Sequence, residues 1–283
     1  MSLLNLPRNR RRSVARIALG AALPLVILTA AWQSAAAEAT DDSNASDPFS
    51  DKWNVQVGAG ALNGPRYPGS RYDFTRGLPF ASISYDRYFL GAVPGGGAPA
   101  GIGVYLMHTE HWSLGLDAGG DPRKPRRASD DPVLHGWGDI PGTVRGGLFA
   151  SYDMDWFSAH GSVSVGGHNE GTVASLGAEA KYRAMHRLTL SIGPEVRWVS
   201  SQYAMTFFGV DAAQSEIAGI ASHQARSGIN WVGGSAGASY MLTQHWLLAT
   251  HVSYGRLQGD AADSPVTTDK TQRVYSAFLM YRF

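Results

Sequence analysis

The sequence predicts an all-β protein: a transmembrane antiparallel β-barrel of about twelve strands behind a cleaved N-terminal signal peptide. Three observations predict it. The chain opens on an export signal, carries an apolar residue at every second position through most of its length, and closes on an alternating strand that ends in Tyr281-Arg282-Phe283. Composition removes the rivals. Gly is 34 of 283 residues, and each Gly inside a helix costs roughly 1 kcal/mol against Ala, so a helical protein is disfavoured. Charged residues at 17% and hydrophobic ones at 44% exclude a disordered chain. The absence of Cys excludes a disulfide framework, thiolate metal sites and cysteine nucleophiles together.

Residues 1–37 read as the signal peptide. Arg8, Arg10, Arg11, Arg12 and Arg16 precede the apolar run from Ile17 to Trp32, and Ala35-Ala36-Ala37 supplies an A-x-A cleavage site. A retained signal anchor is the alternative, against which stand Pro24 in mid-run and the small residues before Glu38. The formal net charge of +1 changes sign on cleavage. Five Arg leave with the signal, so 19 of the 24 basic residues face 23 acidic ones, a net −4. A nucleic-acid partner is thereby disfavoured. Residues 38–52 are polar and acidic (Asp41, Asp42, Asp47, Asp51) without periodicity, and read as a flexible periplasmic segment. The barrel is expected over 53–283. No later stretch holds about 18 consecutive apolar residues, so a membrane helix is not expected.

Period two defines the strands. Phe157, Ala159, Val163 and Val165 share one face while Ser158, His160, Ser162 and Ser164 share the other, and Leu176-Ala178-Ala180-Tyr182 oppose Glu179, Lys181 and Arg183 in the same way. Tight connections at Asp86-Arg87, His108 to Glu110, Asp153 to Asp155, Ala184 to His186 and Thr243-Gln244 fit the short periplasmic turns of bacterial barrels. Placing all five on one side gives twelve strands, roughly 53–62, 79–85, 88–93, 100–107, 111–118, 142–152, 156–166, 172–183, 187–200, 227–242, 245–257 and 271–283. Ten or fourteen stay open, since Tyr203 to Val210 can be read as a further strand and 88–93 is short.

A soluble sandwich also alternates. Two features favour the barrel. Aromatics begin or end the apolar face at strand after strand (Trp53, Tyr85, Trp112, Tyr152, Tyr182, Trp198, Tyr240, Trp246, Tyr275), as interfacial girdles do. The polar face carries Arg145, Glu179, Lys181, Arg183, Glu195 and Arg197, expected to face the lumen. These charges form either a self-satisfying ion-pair network or a selective constriction. Arg123, Lys124, Arg126 and Arg127 fall in an outer loop, as a solvated stretch or as contacts to lipopolysaccharide phosphates. Tyr281 and Phe283 are the expected signal to the barrel-assembly machinery.

A catalytic site is not expected. His160 and Ser162 are neighbours on one strand face, but no Gly-x-Ser-x-Gly elbow accompanies them. The histidines are scattered without a second set at metal-ligand spacing, and Gly95-Gly96-Gly97 lacks the Lys and helix of a phosphate loop. No cofactor is implied.

Five stretches carry a family resemblance: Val57-Gly58-Ala59-Gly60 with Tyr67-Pro68-Gly69-Ser70; Leu134 with Gly136-Trp137-Gly138-Asp139; Tyr203 through Val210; Gly259 through Val266; and Tyr281-Arg282-Phe283. In this order and spacing the chain resembles the MipA/OmpV family of outer-membrane proteins from about Trp53 to its end. The resemblance implies a barrel set among outer-membrane lipids and lipopolysaccharide. It also implies a scaffold bridging a murein-degrading lytic transglycosylase and a murein synthase. A narrow porin-like channel is the alternative, and a lipid-modifying barrel enzyme the third reading.

Overall fold

A computed structural model describes residues 53–91, 101–120, 125–135 and 137–283. The expected signal peptide 1–37, segment 38–52, strand residues 92–93 and 100, and loop residues Arg123, Lys124 and Gly136 lie outside these. Twelve antiparallel strands form one closed barrel, in which each strand pairs with its neighbours in sequence and β1 closes on β12. They are β1 (Asn54–Pro65), β2 (Asp73–Tyr85), β3 (Tyr88–Gly91), β4 (Gly101–His108), β5 (Trp112–Gly120), β6 (Val144–Met154), β7 (Phe157–Gly166), β8 (Gly171–Met185), β9 (Leu188–Val199), β10 (Gly228–Met241), β11 (Trp246–Leu257) and β12 (Thr271–Arg282).

The five tight connections fall at one end together with both strand termini of the barrel. Asp86, the first residue of the Asp86-Arg87 turn, takes φ 47°, a left-handed conformation that Asp tolerates in two-residue hairpins. Side chains lace neighbouring turns: His111 Nδ1 contacts the Asp153 carbonyl at 3.0 Å, and His245 Nδ1 the Arg282 carbonyl at 3.1 Å. Phe283 N donates to Val55 O at 3.1 Å and so fastens the β1–β12 seam.

The outward face is apolar and uncovered. Ile102, Val163, Val165, Leu176 and Ile192 all stand exposed, as expected when acyl chains take the place of a second protein layer. Around the short-turn end runs an aromatic girdle. In it Trp53 stacks on Tyr85 at 4.7 Å, Trp112 meets Tyr152 at 4.8 Å, and Trp246 meets Tyr281 at 5.1 Å. No described helix is long and apolar enough to cross a membrane, which leaves crossing by strands untouched.

Two expectations change. β2 starts at Asp73, six residues before the expected 79. Asp73, Arg76, Gly77 and Pro79 hide its upper half from a pattern search, and Pro79 is tolerated because β3 reaches only Ile83 to Tyr85 of this strand. Tyr203 to Val210 adds no strand: Ser201–Phe208 is helix α1. Ser200 caps it, its hydroxyl accepting from Tyr203 N, and Gly209 ends it by donating to Ala204 O and Met205 O. Tyr203 and Phe207, one helical turn apart, stack at 4.3 Å. Two further short helices follow in the long loops, α2 (Ala212–Ala218) and α3 (Gly259–Asp263).

Candidate functional site

The lumen is lined by an apolar and a polar cluster, with His251 of β11 and Ser276 of β12 as polar residues beside the first and Phe149 of β6 as an apolar residue beside the second. On β1, β2, β11 and β12 the inward residues Leu62, Leu78, Phe80, Leu247, Ala249, Phe278 and Met280 form one apolar cluster. Across the ring of twelve, β5 to β8 turn polar side chains inward: Asp117, Arg145, Ser158, His160, Ser162, Glu179 and Lys181 are all buried. Glycine makes this filling feasible. Large inward side chains lie flat over a glycine of the neighbouring strand: Phe278 over Gly60, Phe89 over Gly103, Phe149 over Gly115, and His160 over Gly177, where an added Cβ would stand 2.6 Å from the imidazole Nε2. A bulkier residue at those four positions would push the inward side chains off the wall.

All six inward-predicted charges sit on the lumen parity of their strands. Arg145 Nη1 pairs with Glu170 Oε2 at 2.9 Å, both buried, and the same guanidinium bonds Ser164. Lys181 Nζ reaches Asp153 Oδ1 at 3.3 Å. Arg197 Nη2 pairs with Glu195 Oε1 at 3.2 Å and lies 5.4 Å from the Trp231 ring. Arg183 is exposed near the short-turn end, and Glu179 is buried with one oxygen 3.4 Å from Ser235 Oγ. Sequence reasoning missed the partners Glu170 and Asp153, which sit at or beside turns. The signal for Glu170 was Asn169 and Gly171 around it: His168 and Asn169 take positive φ and turn the carboxylate inward.

The opposite mouth is covered by a cap made of the long loops. Tyr67, Leu134, Trp137, Val210 and Val266 form one buried cluster, so four of the sequence stretches that carry the family resemblance meet there. A second cluster joins Phe207 and Phe208 of α1 to Ala261 and Ala262 of α3 and to Val199, Trp231 and Leu257 at the strand tops. Hydrogen bonds stitch the loops: Tyr67 OH to Val266 O at 3.2 Å, Ser264 Oγ to Phe208 O at 2.5 Å, Thr268 Oγ1 to the buried Asp131 carboxylate at 3.2 Å. Burial of Tyr67 pushes its phenol up to about 12.

Arg126 belongs to this cap rather than to its outer surface. It is buried, donates to Phe207 O at 3.1 Å at the C-terminus of α1, and lies 5.0 Å from the Trp137 ring. Desolvation pulls its guanidinium down to about 10, still cationic at neutral pH. Arg127 is half-buried, its amide bonded to Asp130. Tyr281 and Phe283 pack edge to face at 5.0 Å on the girdle. His160 and Ser162 are both buried in the lumen, and the Ser162 hydroxyl is engaged by Ser175 Oγ at 2.8 Å rather than by the imidazole.

Among solved structures, the chain is similar to the KdgM porin at 9% identity, over 82% of this chain and 99% of that one, with a TM-score of 0.37. It is similar to the outer membrane channel DcaP of Acinetobacter baumannii at 9%, 82% and 96%, TM-score 0.40. To the Ralstonia pickettii toluene transporter TbuX the figures are 11%, 86% and 92%, TM-score 0.41. Likenesses this distant bear on neither strand count nor function. A comparison with curated protein sequences gave no match. The family comparison is of another order: residues 57–283, the barrel and its cap, match the family described as MltA-interacting protein MipA, and the chain belongs to that family.

Proposed function

We propose that this chain is a non-catalytic outer-membrane barrel that serves as a scaffold for murein-processing enzymes, bridging a lytic transglycosylase and a murein synthase. One observation carries the reading: the described lumen charges are largely spent on one another beneath a packed cap, so the protein offers its surroundings surfaces more than a passage. The family description, which names an interacting protein, supports it. The short-turn rim and the acidic segment 38–52 are the surfaces it would present to the periplasm. Crosslinking in living cells from a residue in 38–52 should capture a lytic transglycosylase. Deleting 39–50 should abolish that capture, and full recovery of the enzyme after the deletion contradicts the proposal.

A narrow channel for small solutes is the second reading, favoured by the water exposure of Arg183 and of 36% of the Arg197 side chain. Steady unitary currents in planar bilayers, altered by neutralising both arginines, would replace the scaffold with the channel. At the outer face, Arg123, Lys124 and Arg127 are proposed to contact lipopolysaccharide phosphates. Reversing these charges should then raise sensitivity to agents that disturb lipopolysaccharide packing.

A further inference from the structure

Three polar atoms on the inward face of β7 and β8 are buried without a hydrogen-bond partner: Ser158 Oγ, His160 Nδ1 and Glu179 Oε2. Their residues are at most 8% exposed. Ser158 is the direct cross-strand partner of Glu179, and His160 is the next residue on the same face. Residues so placed stand about 5 Å across the ladder and about 7 Å along the strand. A carboxylate oxygen buried without a donor is strongly disfavoured, and protein interiors resolve such a group with a partner. The nearby cations are hydrogen-bonded to other carboxylates, Lys181 to Asp153 at 3.3 Å and Arg197 to Glu195 at 3.2 Å, and Lys181 acts on Glu179 through its charge.

We infer that Glu179, Ser158 and His160 bind the primary ammonium group of a small solute. An alkylammonium carries one positive charge and three N–H donors, which match one anionic and two neutral acceptors. His160 accepts at Nδ1 in the tautomer protonated at Nε2. A metal ion fits less well, because no three His, Asp or Glu side chains among the described residues stand at metal-binding spacing. The approach is from the short-turn end. Asp153 lies directly opposite Ser158 on β6, pairs with Lys181 and keeps 36% of its side chain in water, so the water-exposed side of the site is on this strand end. The site stands whether or not the scaffold reading holds.

The test is calorimetric titration of the full barrel in detergent micelles with ethylammonium chloride, against tetramethylammonium and potassium chlorides at equal ionic strength. Saturable binding of ethylammonium alone is expected. Glu179→Gln should weaken it by about tenfold or more, and Ser158→Ala by a few-fold, in line with charged and neutral hydrogen bonds. Heat-dependent gel mobility reports whether each variant is folded; if Glu179→Gln is not, Ser158→Ala and His160→Phe decide. Equal responses to all three salts, or unchanged affinity in the folded variants, overturn the proposal. So does ethylammonium binding to Lys181→Gln but not to the unaltered protein, which would make the ammonium of Lys181 the occupant.

Discussion

The wall and the cap bury or expose the same kinds of residue for different reasons. In the wall, Val163, Leu176 and Ile192 stand outward and uncovered, because acyl chains are as apolar as they are and nothing drives these side chains into hiding. The wall holds instead through its closed ladder, whose bonds no water competes for. In the cap, which lies beyond the strands in water, Tyr67, Leu134, Phe208 and Val266 are almost wholly buried, and the hydrophobic effect is the main force. Where the solvent changes along one chain, an exposed Leu changes meaning with it. The two regions should therefore fail independently.

Phe208→Ala is the strongest way to break that independence. Phe208 is fully buried at the join of α1 and α3, and truncating such a ring costs about 3–5 kcal/mol. Cleavage in the 200–227 loop by added protease should become rapid while the folded barrel keeps its heat-resistant gel mobility. Simultaneous loss of both would mean that cap and wall are one cooperative unit. Gly60→Val is the converse. Its Cβ alone meets the Phe278 ring and the Ala277 carbonyl, and overpacking of this kind costs about 1–3 kcal/mol. The barrel should melt earlier, with the cap as protease-resistant as before.

The same contrast decides how much the sequence reveals. Alternation through Phe157 to Val165 and Leu188 to Trp198 places strands, because each wall residue answers to one ladder and one solvent on each side. That parity also assigns Glu179, Lys181, Glu195 and Arg197 to the lumen. It cannot pair Arg145 with Glu170, since Glu170 sits where the period breaks. The cap is opaque for a related reason. Tyr67 and Val266 are 199 residues apart and touch through loops that have no period. The resemblance marked these stretches as distinctive without indicating that they meet. Tyr203 to Phe208 misleads because apolar residues at nearly every position satisfy period two and a helical turn alike; Ser200 and Gly209, a cap and a terminator, are the cue to the helix.

Alkaline pH sharpens the comparison by acting on the cap phenol. Tyr67 is held neutral in the fold, up to about 12 against an ordinary value near 10. An acid whose folded value is raised contributes stability that is complete below about 10 and lost as the pH climbs toward 12. Arg126, lowered to about 10 by burial, acts in the opposite sense over the same window. The difference between the unaltered protein and Tyr67→Phe therefore reports the phenol together with its charge coupling to Arg126. Protease resistance of the unaltered cap should fall relative to the variant between pH 10 and 12. At neutral pH the variant should be weaker by about 1 kcal/mol for its lost bond to Val266 O. Parallel curves for the two proteins would remove Tyr67 from the account.

The smallest effect belongs to the surface of the cap. Arg226 Nε and the Arg226 backbone N both donate to Asp260 Oδ2, at 3.0 and 2.9 Å, and together they hold that carboxyl below its ordinary range. A depressed carboxyl contributes stability above about pH 4 that is lost as the pH falls through its folded value. The pair is open to water, so salt screens it and its contribution is slight. Arg226→Ala should leave protease cleavage of the cap nearly unchanged at pH 7, because the backbone N–H still serves the carboxylate. Asp260→Ala removes both bonds at once and should loosen the 200–227 loop more. If Arg226→Ala proves as damaging as Phe208→Ala, exposed charge rather than buried apolar surface holds the cap, and the distinction between cap and wall has to be redrawn.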